Sequence, residues 1–308
     1  MNTPSNGMPE SPPDSQAVAS ATLSPTRPMY WSVRRELWEN RSIYIAPLIA
    51  AAVFLFGYSI STLHLAKSVR AALAVDPTQL PASVATAFAM AATVIIMTGY
   101  IVGVFYCLDA LYGERRDRSI LFWKSLPVSD LTTVLSKACI PLVVMPLLAL
   151  ALVFATHLVM LLLSSMVLLA SGLGVGMLWA QRFEMALVLP YALAVHMLWH
   201  APLWAWLLLV SSWARRTPFL WAVLPPLALG VVERIAFQTT YFAKFMGYRV
   251  IGAMSAAFDL EPKSHRITRL SQLDPLGFLV SPGLWIGLIA AAAFLVAAAR
   301  LRRNREPI

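Results

Sequence analysis

Charged side chains are scarce in this chain. Asp, Glu, Lys and Arg make up 13% of its 308 residues, about half the ~25% of an ordinary soluble domain. So few charges cannot coat a surface against water, which excludes a water-soluble globular protein. At 59% hydrophobic the chain is also excluded from the disordered class, whose segments are poor in apolar residues. Cysteine is nearly absent, and the two present, Cys107 and Cys139, are too few to make a zinc site. No G-x-x-x-x-G-K-[ST] loop occurs anywhere, so ATP hydrolysis by this chain is not expected. The first 28 residues lack the basic and apolar regions of a signal peptide and are rich in Pro, Ser and Thr. They read as a disordered cytoplasmic tail.

What the chain has is long uncharged stretches: 42–66, 77–108, 138–181, 185–214, 217–232 and 275–299. A helix crosses the hydrocarbon core with ~20 mostly apolar residues. The third stretch is too long for one span and is interrupted by SGLGVG at 171–176, whose glycines favour a turn. The fifth reaches full length by taking in Glu233 and Arg234. Six spans follow, at about 43–65, 84–111, 133–166, 185–213, 217–237 and 280–300. In lipid each backbone polar group needs an internal partner, and uncharged runs of this length without alternation are helices rather than barrel strands. The expected class is an all-α membrane protein. Pro141, Pro146, Pro202, Pro225 and Pro226 fall inside spans and should kink them.

Lys and Arg near span ends set orientation. Six spans put both termini on one side, with Arg34, Arg35 and Arg41, the Arg115–Lys124 cluster, Arg215 and Arg216, and Arg300–Arg305. The opposite side has fewer, most of them in the connection 238–279. Both termini are therefore expected in the cytoplasm. Residues 30–41 read as an amphipathic interfacial helix, with Tyr30, Val33, Leu37 and Trp38 on one face and Arg35, Glu36 and Glu39 opposite. The two cysteines then lie near cytoplasmic span ends, where a structural disulfide is not expected. Basic residues scattered over separate loops give no nucleic-acid face.

The connection 112–137, YGERRDRSILFWKSLPVSDLTTVLSK, alternates charges with an apolar patch, Ile120, Leu121, Phe122, Trp123 and Leu126. Ser119 is placed to cap a short helix, Pro127 to end it, and Asp130 to cap the helix of the third span. Such a helix either lies on the membrane surface or docks in a groove of a partner. Arg115, Arg116 and Arg118 suit acidic partner residues or anionic headgroups equally.

This stretch resembles the cytoplasmic coupling-helix loop of bacterial ABC-2-type transporter permeases. The resemblance rests on Glu114-Arg115, the apolar run Ile120–Trp123, Leu126-Pro127-Val128-Ser129, and Lys137 where the next span starts. WAWLLLVSSWARR, residues 204–216, is similar to the family at the end of span four. So is the layout, with an amphipathic first helix and a longer outer connection before the last span. The resemblance covers most of 29–300 and implies one permease domain over 29–303, with a short cytoplasmic tail at 304–308. It implies extracellular re-entrant helices within 238–279. It further implies the membrane subunit of an ATP-driven exporter in the bacterial cytoplasmic membrane. Two permease chains, identical or related, would pair with two copies of a separate ATPase, which would bind the ATP and magnesium. Phe122 and Trp123 would anchor in a groove of the ATPase, and Glu114, Arg115 and Arg116 would meet its rim. No cofactor is expected on this chain itself.

Other residues carry weaker signals. His196 and His200 share a helix face but have no acidic residue or cysteine within a turn, so a metal site is not expected. Asp109 is read as an interfacial partner of Arg115 or Arg116. For Glu233 and Arg234 two readings stand: headgroup snorkelling, or contact with cargo at the exit mouth that the resemblance places there. GYIVG at 99–103 reads as a close packing site within the subunit. Spans with few internal charges suit an amphipathic or hydrophobic cargo better than an ion. The competing functions are a membrane-embedded hydrolase using His196 or His200, and a nucleotide-independent channel or scaffold.

Overall fold

The computed structural model describes residues 26–76, 81–125, 128–259 and 270–304. Most of the expected terminal tails, together with Leu126, Pro127 and part of the outer connection, lie outside the described residues. The described chain is helical apart from one isolated bridge between Phe258 and Leu273.

In chain order the helices are α1 (Thr26–Glu39), α2 (Ser42–Ser61), a 3₁₀ turn (Thr62–His64) and α3 (Leu65–Val75). Then come α4 (Ala82–Ala110), α5 (Tyr112–Arg116), α6 (Ile120–Ser125), α7 (Asp130–Cys139), a π turn (Ile140–Val144) and α8 (Met145–Ala170). The remainder is α9 (Gly176–Trp213), α10 (Pro218–Phe237), α11 (Tyr241–Ile251), α12 (Ala253–Ala257), α13 (Pro275–Val280) and α14 (Pro282–Asn304). Six helical stretches are long and apolar enough to cross a membrane: Ser42–Val75, Ala82–Arg116, Asp130–Ala170, Gly176–Trp213, Pro218–Phe237 and Pro282–Asn304. The fold is that of a multi-pass helical membrane protein.

The first and fourth of these run further than expected, to Val75 and back to Gly176. Lys67, Arg70, Arg182 and Glu184 interrupt the apolar run without interrupting the helix, because charge ends a span and not a hydrogen-bond ladder. The glycine turn falls as expected. Gly172 takes a left-handed φ of 72°, Leu173 N–H donates to the Leu168 carbonyl at 2.9 Å and Gly172 N–H to Leu169 at 3.0 Å. This is a Schellman end for α8. Between α7 and α8 the chain passes Pro141 and Pro146 by widening into the π turn, which absorbs the missing donors.

Packing centres on α9, with α14 laid along it. Trp199 is wholly buried among Val195, Ala253, Phe278 and Leu284, which ties α12 and α13 to the bundle. A second cluster joins α2, α3, α4 and α8 through Tyr58, Val69, Phe88 and Met160, with Tyr58 Oη 2.7 Å from Ser164 Oγ. Gly103 allows Trp204 of α9 to approach α4, since a Cβ there would lie 3.0 Å from the indole. Gly99, the other glycine of GYIVG, meets nothing within 4 Å. In α10 only Ala222 is buried.

α1 corrects the sequence reading. Glu36, expected on the polar face, is 1% exposed and lies with Val33 and Leu37 toward the bundle. Tyr30, Trp31 and Trp38 face outward, and the Arg34 guanidinium stacks on both tryptophans, 5.1 and 4.7 Å from the ring centres. Glu36 turns inward because charged partners wait for it there.

Candidate functional site

Beside α6, the helices α1, α5 and α7 meet the end of α14 at one end of the bundle. A buried ion network joins them. Lys137 Nζ lies 2.9 Å from Glu36 Oε1 and 3.2 Å from Glu114 Oε1. Arg302 contacts Glu114 Oε2 at 3.1 Å and also pairs with Asp130. Arg35 contacts Glu36 at 2.7 Å and Glu114 at 3.4 Å. Tyr106 Oη donates to Glu36 Oε2 at 2.9 Å. The carboxylates of Glu36, Glu114 and Asp130 thus face Arg35, Lys137 and Arg302, and the half-exposed Glu39 adds a fourth carboxylate at the edge, 3.6 Å from Arg35. Burial on its own would raise the Glu36 carboxyl. Lys137 and Arg35 beside it outweigh that effect and hold it below the usual carboxylate range.

Glu114 is the hub, since three cations from three other elements converge on it. Its neighbour Arg115 is also buried, and donates to the carbonyls of Ser211 at 3.0 Å and Ala214 at 2.6 Å. Those are orphan acceptors at the end of α9, where a cation is favoured. Ser211 Oγ in turn accepts from the Leu111 and Tyr112 N–H groups at 3.0 and 2.9 Å. Glu114 and Arg115 therefore face their own subunit, both engaged by internal partners. Arg116 is exposed and contacts Asp109 at 3.4 Å and Asp117 at 3.0 Å.

After α5 the chain turns through Arg118, at a left-handed φ of 59°, and enters α6. Ile120 is 1% exposed and anchors the helix, whereas Leu121 and Phe122 are 59% and 60% exposed. Trp123 is half-buried. Its ring stacks against Phe122 at 4.9 Å, and the Arg35 guanidinium lies 3.8 Å from its centre. The expected pair of anchors, Phe122 and Trp123, is thus divided: Phe122 projects with Leu121, while Trp123 closes over α1. Leu126 lies outside the described residues. The Ser119 hydroxyl donates to the Glu114 carbonyl oxygen at 3.4 Å. The cap of α7 is Ser129, whose Oγ accepts from the Thr132 N–H at 3.1 Å. Asp130, expected there, is free to hold Arg302 instead.

The other candidates lie elsewhere. Glu233 accepts from the Thr239 hydroxyl at 2.6 Å and from the N–H groups of Tyr241 and Phe242 at 2.6 and 2.8 Å, so it caps α11. Arg234 contacts the Gln238 carbonyl at 3.4 Å. The rings of His196 and His200 are 4.1 Å apart, with Tyr100 packed edge-on against both. His200 Nδ1 lies 3.0 Å from the His196 carbonyl and Nε2 lies 3.1 Å from that of Val250. Among the described residues no three His, Cys, Asp or Glu side chains are grouped to hold a metal ion.

Sequence reasoning missed Glu36, Asp130, Arg302 and Tyr106 as members of one site. The available signal was that charges flanking a membrane span, when they turn inward, need partners. Comparison with protein-family models, with characterised proteins and with solved structures finds no match for this chain.

Proposed function

We propose that this chain is the membrane subunit of an ATP-binding-cassette exporter of the ABC-2 type, coupled through α6 to a separate ATPase. The observation that carries this reading is a short helix with an open apolar face on a rigid, charge-locked base. Leu121 and Phe122 stand out from the bundle, while Ile120 and Glu114 beneath them are buried. An apolar tip held by so many fixed charges is built to be gripped and pushed. In this reading both termini are cytoplasmic, and the chain sits in a bacterial cytoplasmic membrane. It pairs with a second permease chain, and two ATPase subunits bind ATP and magnesium.

Force applied to α6 passes through α5 to Glu114, and from there to α7 through Lys137, to α14 through Arg302 and to α1 through Arg35. Arg115 carries the same displacement to the end of α9. The helices then move as rigid bodies between two states biased by nucleotide. The cargo class is amphipathic or hydrophobic. A tagged chain should co-purify with a protein that contains a phosphate-binding loop. Phe122→Glu should remove that partner without lowering the yield of folded chain, because the side chain is exposed. Full retention of the ATPase by Phe122→Glu, or purified chain that never brings one down, would overturn the reading.

A further inference from the structure

α10 is the least enclosed helix of the bundle, and a groove of about 680 Å³ separates it from α11. Val223, Leu227, Gly230 and Val231 form one wall, and Phe242 and Met246 the other. Arg234 stands at one end. From Val223 to Arg234 the helix rises about 17 Å at 1.5 Å per residue, close to the ~15 Å hydrocarbon depth of one leaflet. The Arg234 guanidinium contacts the Gln238 carbonyl at 3.4 Å and has no ion pair with a carboxylate among the described residues. The adjacent Glu233 makes no ion pair with it, both of its oxygens being engaged in capping α11.

An apolar trench one leaflet long, ending in a cation without a carboxylate partner, is complementary to an anionic amphiphile. The geometry points to a phospholipid site: one acyl chain lies between α10 and α11, and the lipid phosphate pairs with Arg234. The site does not depend on the ATPase reading. Gly230 keeps the α10 wall of the groove open. A Cβ there would meet only Phe242 Cδ1, at 3.8 Å, so a larger side chain enters the groove without displacing backbone.

The test uses the full chain purified in neutral detergent. It is offered equal amounts of dioleoyl phosphatidylglycerol and dioleoyl phosphatidylcholine, and bound lipid is read by native mass spectrometry. Phosphatidylglycerol should be retained about fivefold over phosphatidylcholine, the attraction that one basic residue exerts on anionic lipid. Arg234→Gln should abolish the preference and leave residual retention of both lipids. Gly230→Leu should remove retention of both, and excess inorganic phosphate should change neither result. Equal retention of the two lipids by the native chain would overturn the proposal, as would an undiminished preference in Arg234→Gln. So would displacement of the lipid by inorganic phosphate, which would make the site a free-anion site. If Gly230→Leu altered oligomeric state and left lipid retention intact, a second copy of the chain would be what covers the groove, and the lipid site would fail.

Discussion

Replacing Glu114 with Gln keeps the shape of the side chain and removes its charge. Three contacts are then weakened at once: to Lys137 at 3.2 Å, to Arg302 at 3.1 Å and to Arg35 at 3.4 Å. None of the three cations is stranded, because Lys137 and Arg35 keep Glu36 and Arg302 keeps Asp130. The cost therefore falls below the ~3–5 kcal/mol of a wholly broken buried pair. It exceeds one charge-assisted hydrogen bond, at about 1.5–3 kcal/mol, since three such contacts weaken together. A loss of about 3 kcal/mol is expected. Lys137→Met removes a positive charge instead, so the double variant restores the charge balance of the native cluster. The double variant should therefore be no less stable than Glu114→Gln alone, a coupling of about 1–3 kcal/mol. The assay is unfolding of the purified chain in mixed micelles with increasing SDS, followed by tryptophan fluorescence. Strictly additive losses, or a Glu114→Gln variant within about 0.5 kcal/mol of the native chain, would refute the network as a coupled unit.

Two further outcomes follow from the same packing. The Glu36 carboxyl is held below its ordinary value of 4.5, so its stabilising contribution is complete above that pH and disappears as pH falls through the lower folded value. Melting curves between neutral and strongly acidic pH should show Glu36→Gln less stable than the native chain near neutrality, with the gap closing on acidification. Parallel curves at every pH would contradict this. In α4, Gly103→Val should cost ~1–3 kcal/mol by overpacking against the buried Trp204, whereas Gly99→Ala should be close to neutral because a Cβ there meets nothing within 4 Å. The same SDS titration reads both, and equal losses at the two glycines would be inconsistent with the packing described.

The spans were legible in the sequence because apolar length is a one-dimensional property: six uncharged stretches became six long apolar helices. Their ends were less so. Lys67, Arg70, Arg182 and Glu184 mark where lipid should stop, and helices continue past them. The Gly172 turn was readable, because a left-handed φ selects glycine. The π turn at Ile140–Val144 was not, since prolines announce a disturbance of the ladder and not its form.

The ion network was hidden for a different reason. Its members are spread from Arg35 to Arg302 along the chain, and each has an adequate local explanation. Arg302 serves as a topological charge, Glu36 as the polar face of an interfacial helix, and Glu114 as a groove contact. Only the fold brings them within hydrogen-bond distance. Likewise Ser129 and Asp130 are equally good caps on paper, and what decides between them is Arg302 in α14, which takes the aspartate.

The claim at the centre is that the tip of α6 is where a separate ATP-driven subunit takes hold. A photo-crosslinking residue placed at Leu121, activated in intact cells and followed by mass spectrometry of the adduct, tests it at the contact itself. The expected adduct is a peptide from a protein carrying a phosphate-binding loop, lost when Phe122→Glu is added. An adduct to lipid alone, or to another part of this chain, would contradict it.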